Sequence, residues 1–112
     1  MPLPEPTSDP LIELIAERIR VAGQPVRIKL LACLRHGPAT VQELTAAVGA
    51  VQQNASQHLA LLHRAGVVAR RREGTRVLYE LVDQHVLRLI DEAAASLARQ
   101  SEEVARLIER RP

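Results

Sequence analysis

Apolar residues recur along this chain at two spacings, and the change from one to the other divides it. Leu11, Leu14, Ile15, Ile19 and Ala22 fall at helical intervals and predict an amphipathic first helix. Asp9 is its expected N-cap, Pro10 takes the first helical position and Gly23 ends it. Pro25 opens a second helix in which Val26, Ile28, Leu30, Leu31 and Leu34 leave little polar surface, so it is expected at the centre; His36-Gly37-Pro38 stops it. Thr40 with Glu43 three residues on makes a capping box for a third helix, whose Val41, Leu44 and Val48 face inward and which Gly49 ends. A fourth helix, from about Val51 to Arg64, places Ala55, Leu59 and Leu62 on one face with Leu61 beside it. The opposite face carries Gln52, Gln53, Ser56, Gln57 and His63, and Gly66 closes the helix.

The period then shortens to two. Val67–Arg72 and Arg76–Leu81 flank Glu73-Gly74-Thr75 and predict a β-hairpin. Asp83 next caps a last helix expected to run unbroken to about Arg110. In it Val86, Ile90, Ala93, Leu97, Gln100, Val104 and Leu107 alternate steps of four and three, a heptad seam interrupted by one polar residue. A helix of that length exceeds what so small a domain can cover, so part of its stripe is expected to pack on a second copy. The chain therefore reads as mainly α: four helices, a hairpin and a long helix, the third and fourth helices forming a helix-turn-helix and the hairpin a wing.

Composition narrows this. The chain of 112 residues is 46% hydrophobic, yet Tyr79 is its one aromatic residue, so the core must be aliphatic. That favours packed helices over a β-sandwich. Cys33 is the single cysteine, which excludes an internal disulfide framework and a four-thiolate zinc site and fits a reducing compartment. Residues 1–8, with Pro2, Pro4 and Pro6, read as a flexible arm before a single domain over 9–112. The arm has neither the basic start nor the apolar stretch of a signal peptide, and no apolar run is long enough to span a membrane, so the cytoplasm is expected. Net charge is only +2, but it is unevenly placed. Residues 51–81 carry Arg64, Arg70, Arg71, Arg72 and Arg76 against Glu73 and Glu80, whereas the first fifty residues balance and the stretch from Val82 is slightly acidic.

A basic middle between neutral flanks suits a localised polyanion contact. In a helix-turn-helix the second helix presents its outer face to the major groove, which admits one α-helix. That face here is Gln52, Gln53, Asn54, Ser56 and Gln57. Glutamine and asparagine can bond adenine bidentately, and serine several bases or a phosphate. Arg70, Arg71, Arg72 and Arg76 would neutralise phosphates or enter the minor groove. Thr40 and Gln42 stand where the first motif helix would meet backbone phosphates. No glycine-rich phosphate loop, nucleophile triad or metal-hydrolase motif is present, so an enzyme is not expected. A winged-helix module that binds only protein is the alternative of a different class.

The run Gly49-Ala50-Val51-Gln52-Gln53-Asn54-Ala55-Ser56-Gln57-His58-Leu59-Ala60-Leu61-Leu62-His63-Arg64-Ala65-Gly66-Val67-Val68 resembles the recognition-helix pattern of the ArsR/SmtB-type winged-helix regulators, Ser-x-His-Leu followed by Leu and Gly-Leu-Val. Pro25-x-Arg27 with Leu30-Leu31, the wing Arg71–Tyr79 and Asp83-x-His85 are similar to the same family, and the resemblance covers about residues 10–100. Val51 departs from it, standing where the family usually has a serine or threonine cap. The resemblance implies a homodimer through the first and last helices, here Leu11, Leu14, Ile15 and Ile19 with Ile90, Ala93, Leu97, Val104 and Leu107. It also implies a double-stranded operator, bound in major grooves about 34 Å apart, and an inducer that often weakens binding. His58 matches the motif histidine, which would bond a phosphate or fix the helix packing.

Many members of that family sense metals, which makes nickel or zinc a candidate effector. The third-helix site would need cysteines where Thr40 and Gln42 stand. The last-helix site matches at Asp83 and His85, but its further ligand positions hold Ser96 and Arg99, so half the set is missing. Asp83 reads more simply as an N-cap and His85 as a surface or interface residue; a partial metal site remains the alternative, with a non-metal effector or a partner protein beside it. Cys33 reads as a small buried hydrophobe, with His36 one turn on.

Overall fold

The computed structural model describes residues 1–49 and 52–109. Its elements run α1 (Asp9–Ala22), α2 (Pro25–Leu34), β1 (Ala39–Thr40), α3 (Val41–Val48), α4 (Gln52–Arg64), β2 (Val68–Glu73), β3 (Arg76–Leu81), α5 (Gln84–Gln100) and α6 (Glu102–Glu109). The fold is the expected mainly α winged helix-turn-helix. Ala50 and Val51, including the expected start of the fourth helix, lie outside the described residues, as does the expected terminus near Arg110.

The nearly all-apolar α2 is the hub. Leu30, Leu31 and Leu34 are buried, and the helix packs against α1, α3, α4, α5 and β3. Leu44 of α3, Leu59 and Leu62 of α4, Val67, Val68, Tyr79, Leu81, and Val86 and Leu87 of α5 complete one continuous core. Each fully buried aliphatic side chain contributes about 1.5–3 kcal/mol. The inward faces expected for α3 and α4 are the faces that are buried.

Local chemistry sets the boundaries. The Thr40/Glu43 capping box is formed in both directions. Gly49 at φ 69° supplies the left-handed C-cap that ends α3, a conformation costly to any residue with a Cβ. Gly74, at φ +66°, is the first of the two residues joining β2 to β3, where a type II′ hairpin turn needs positive φ.

Three expectations are corrected. The N-cap of α1 is Ser8, whose side chain accepts from the Leu11 amide; Asp9 is the first helical residue, where its charge favours the helix N-terminus. The hairpin gains a third strand, giving the order β1-β3-β2 with Ala39 opposite Tyr79. Two residues are too few to carry an alternating pattern. The last helix is not continuous: Ser101, at φ −150° and ψ 120°, separates α5 from α6, and its Oγ accepts from the Val104 amide at 3.2 Å. Serine offers the backbone a local hydrogen bond that competes with the helix ladder, and Glu102 and Glu103 favour the new N-terminus. The expected seam is therefore split, with Val104 and Leu107 on α6.

Candidate nucleic-acid interface

The helix-turn-helix and the wing converge on one side of the molecule. Thr40 and Gln42 at the start of α3, Ser56 of α4, Arg70 of β2, and Arg76 and Tyr79 of β3 line a single open groove of about 590 Å³. A second groove of about 300 Å³ brings His63 of α4 against Arg70, Arg71 and Arg72. Gln53, Asn54 and Gln57 are exposed on α4, Ser56 is half-buried, and Gln52 opens the helix. The wing arginines are all exposed.

Not every expected site residue is equally free. The Thr40 Oγ1 accepts from the Glu43 amide at 3.1 Å, and the residue is only 6% exposed. The Glu43 carboxylate in turn accepts from the Thr40 amide at 3.0 Å and from Arg76 Nη2 at 3.4 Å. Those bonds, the Thr40 backbone N–H first, hold the Glu43 carboxyl below its ordinary pKa. Glu43 thus ties the wing to the cap of α3. Arg71 meets Glu73 at 3.6 Å on one face of β2, because alternate residues share a face. Arg70 and Arg72 lie on the other face and have no carboxylate partner among the described residues.

His58 is half-buried and turns to α2, where its Nδ1 lies 3.3 Å from Arg27 Nη1. Burial holds the imidazole below its ordinary pKa, and the Arg27 charge adds to this. Nothing along the sequence pairs Arg27 with His58 or His63 with the wing arginines. The signal for both is three-dimensional, since their neighbours lie on other elements.

The candidate metal ligands are engaged with protein groups. Asp83 Oδ1 accepts from the His85 amide at 3.0 Å and the Val86 amide at 3.3 Å, which caps α5. Its Oδ2 meets Arg18 of α1 at 3.2 Å. His85 Nδ1 lies 2.8 Å from Arg88 Nη2. Ser96 and Arg99 line a groove along α5 with Glu92, Ala95 and Gln100. Among the described residues no group of three or more histidine, cysteine, aspartate or glutamate side chains stands close enough to hold a metal ion. Two donors, each beside an arginine, do not by themselves make a four-coordinate zinc or six-coordinate nickel site. Cys33 is a half-buried free thiol on α2, packed against the core.

The expected pairing surface is apolar and open. Leu14, Ile19, Leu97 and Leu107 are exposed, Leu11, Ile15, Ile90 and Val104 are half-buried, and Ala93 is exposed. Ile19, Ala22, Ile28, Ile90, Ala93 and Leu97 line an apolar groove of about 390 Å³ between α1, α2 and α5.

A helix-turn-helix with an arginine-bearing wing and a solvent-facing amide-rich helix is the arrangement of a winged-helix DNA-binding transcriptional regulator. The comparisons with known proteins agree. A family model described as a helix-turn-helix domain matches residues 22–71. The chain is 37% identical over 92 residues to the HTH-type transcriptional repressor SmtB of Mycobacterium tuberculosis, covering 82% of this chain and 68% of that protein. It is 39% identical over 93 residues to the uncharacterised HTH-type transcriptional regulator Rv0081 of the same organism, covering 82% of each. The crystal structure of Rv0081 superposes with a TM-score of 0.73 over 82% of this chain and 93% of that one. A solution structure of a homodimeric winged helix-turn-helix domain from Mycobacterium bovis, described as a possible ArsR-family regulator, gives 0.70 at 26% identity over 88% and 91%. The chain belongs to the ArsR/SmtB family of winged helix-turn-helix transcriptional regulators.

Proposed function

We propose that the protein is a cytoplasmic homodimer that controls transcription by binding an inverted-repeat operator, with α4 of each protomer in successive major grooves and the wings on the flanking backbone. The observation that carries this is the shared groove. It gathers Thr40 and Gln42 at the start of α3, Ser56 of α4, and Arg70 and Arg76 of the wing, and Arg70 also lines the neighbouring groove with His63, Arg71 and Arg72. Gln53, Asn54 and Gln57 suit base edges, with Gln52 and Ser56 beside them in sequence, and Arg70 and Arg72 suit phosphates. Gln42, exposed beside the capped Thr40, suits the phosphate next to α3.

The apolar surface of α1 and α5 is the pairing face, supported by the homodimeric M. bovis relative. Among the described residues no helix is long and apolar enough to cross a membrane. Similarity to the repressor SmtB supports repression as the sign of control. The donors at Asp83 and His85 are met by Arg18 and Arg88, which favours a non-metal ligand or a partner protein as any effector over the alternative of a partial metal site there.

A titration against the protein's own upstream DNA and against random DNA tests this reading, repeated with nickel, zinc and cobalt against chelated protein. Operator affinity well above random, falling steeply with salt and unmoved by metal, is the expected result. Salt-insensitive binding would indicate a protein-interaction module. A tenfold metal shift, about 1.4 kcal/mol of coupling, would restore the metal-sensor reading.

A further inference from the structure

The recognition helix is fastened to the C-terminal end of α1 by one side chain. Arg27 of α2 donates through Nε to the Val21 carbonyl at 2.7 Å and through Nη2 to the Arg20 carbonyl at 3.5 Å. Those carbonyls belong to the last turn of α1, where they have no partner within the helix. The guanidinium is thereby held at the helix end, and its remaining nitrogen, Nη1, faces His58 Nδ1 of α4 at 3.3 Å. Arginine can only donate, so Nδ1 must be the acceptor and the neutral ring must carry its proton on Nε2. The backbone of Arg27 is fixed as well, because its amide donates to Gln24 Oε1 at 3.1 Å. Three elements meet at this group: the pairing helix α1, the central helix α2 and the recognition helix α4.

We infer that Arg27 and His58 are positioning residues for operator recognition, a proton-sensitive latch that sets how α4 stands against α1 and hence against the partner protomer's α4. The physical reason is leverage. The operator fixes the separation of two recognition helices, and α1 belongs to the pairing face, so any play between α1 and α4 changes that separation. Neither residue needs to touch DNA for this.

The latch opens on protonation. A proton on Nδ1 removes the acceptor and leaves two cations 3.3 Å apart. Arg27 is the one charged side chain recorded against the imidazole among the described residues. Glu43 of α3 is held by Thr40 and Arg76, Arg71 and Glu73 of β2 pair with each other, and Arg70 and Arg72 line the wing grooves; Lys29 of α2 is exposed. Arg20, whose carbonyl receives Arg27, pairs its own side chain with Glu17. The folded imidazole sits below its ordinary pKa, so the contribution is complete above about pH 6.5 and is lost as the pH falls through the lower folded value. This direction is opposite to that of a histidine facing phosphate, whose protonation tightens binding.

The inference rests on the operator reading, and the experiment separates the two. Wild-type binding at pH 8 tests that reading alone. His58→Ala and Arg27→Ala are each expected to weaken operator binding at pH 8 by about tenfold, with the double variant close to either single one, as coupled residues behave. His58→Asn places an amide oxygen where Nδ1 stands and is expected to recover most of that loss. It is also expected to lack the wild type's fall in operator affinity between pH 7.5 and 5.5. Imidazole 15N shifts of the free protein, expected to show His58 as the Nε2–H tautomer with Nδ1 accepting, report on the latch even if no operator is bound. The proposal is overturned if the shifts give the Nδ1–H tautomer, if the single losses add in the double variant, or if His58→Asn keeps the wild-type acid response.

Discussion

Arg72→Ala probes the division of labour between wing and recognition helix most directly. Arg72 is exposed on the face of β2 shared with Arg70 and has no carboxylate partner among the described residues, so its charge is available to a phosphate. Each phosphate neutralised adds about 0.9 to the slope of log affinity against log salt on B-DNA. A homodimer loses two such contacts, so the slope should flatten by about 1.8. Between 50 and 200 mM salt that corresponds to about a twelvefold smaller fall in affinity than for the wild type. The weakening should be equal on operator and random DNA, because a phosphate carries no sequence information. Arg71→Ala is the internal control. Arg71 already faces Glu73 at 3.6 Å, so it should flatten the slope much less. Fluorescence anisotropy at four or five salt concentrations measures both. An unchanged slope for Arg72→Ala, or an equal flattening for Arg71→Ala, would refute this reading of the wing.

Gln53→Ala should lower discrimination between operator and random DNA by about 1–3 kcal/mol while leaving the salt slope intact, in the same anisotropy assay. Leu62→Ala empties a fully buried position where α4 meets the core and should cost about 2–5 kcal/mol, read by urea unfolding at fixed protomer concentration. Asp83→Asn keeps an N-cap but loses the ion pair to the partly exposed Arg18, so it should cost less than about 1 kcal/mol; Asp83→Ala should cost about 1 kcal/mol more by losing the cap. Thermal melts of the two variants would contradict this account if Asn and Ala proved equivalent.

Much of the fold is legible along the chain because it rests on short-range rules. The capping box at Thr40 and Glu43, the stop at Gly49, the turn at Gly74 and the cap at Asp83 each involve residues within a few positions of one another. The apolar spacing of α2 and α4 assigned their buried faces for the same reason. Where the short-range signal is divided, the local pattern does not settle the boundary. Ser8 and Asp9 are both good caps one residue apart, and a helical stripe running through Ser101 outweighed that serine's tendency to bond its own backbone.

The candidate interface was legible as a set of residue types, the amides of α4 and the arginines of the wing, but not as a surface. Pattern alone determined the class of fold, the aliphatic core and the basic middle of the chain, and the family resemblance placed Thr40 and Gln42 where thiolate ligands would stand. Only the tertiary structure decided which charges are already engaged. Arg18 meets Asp83 across 65 positions, Arg35 meets Asp91 across 56, Arg76 meets Glu43 across 33 and Arg27 meets His58 across 31. No periodicity links such pairs, because they are brought together by the packing of whole elements on α2. That packing ties Arg76 of the wing to Glu43, while Arg70 and Arg72 have no carboxylate partner among the described residues, and it turns His58 toward Arg27 and the end of α1.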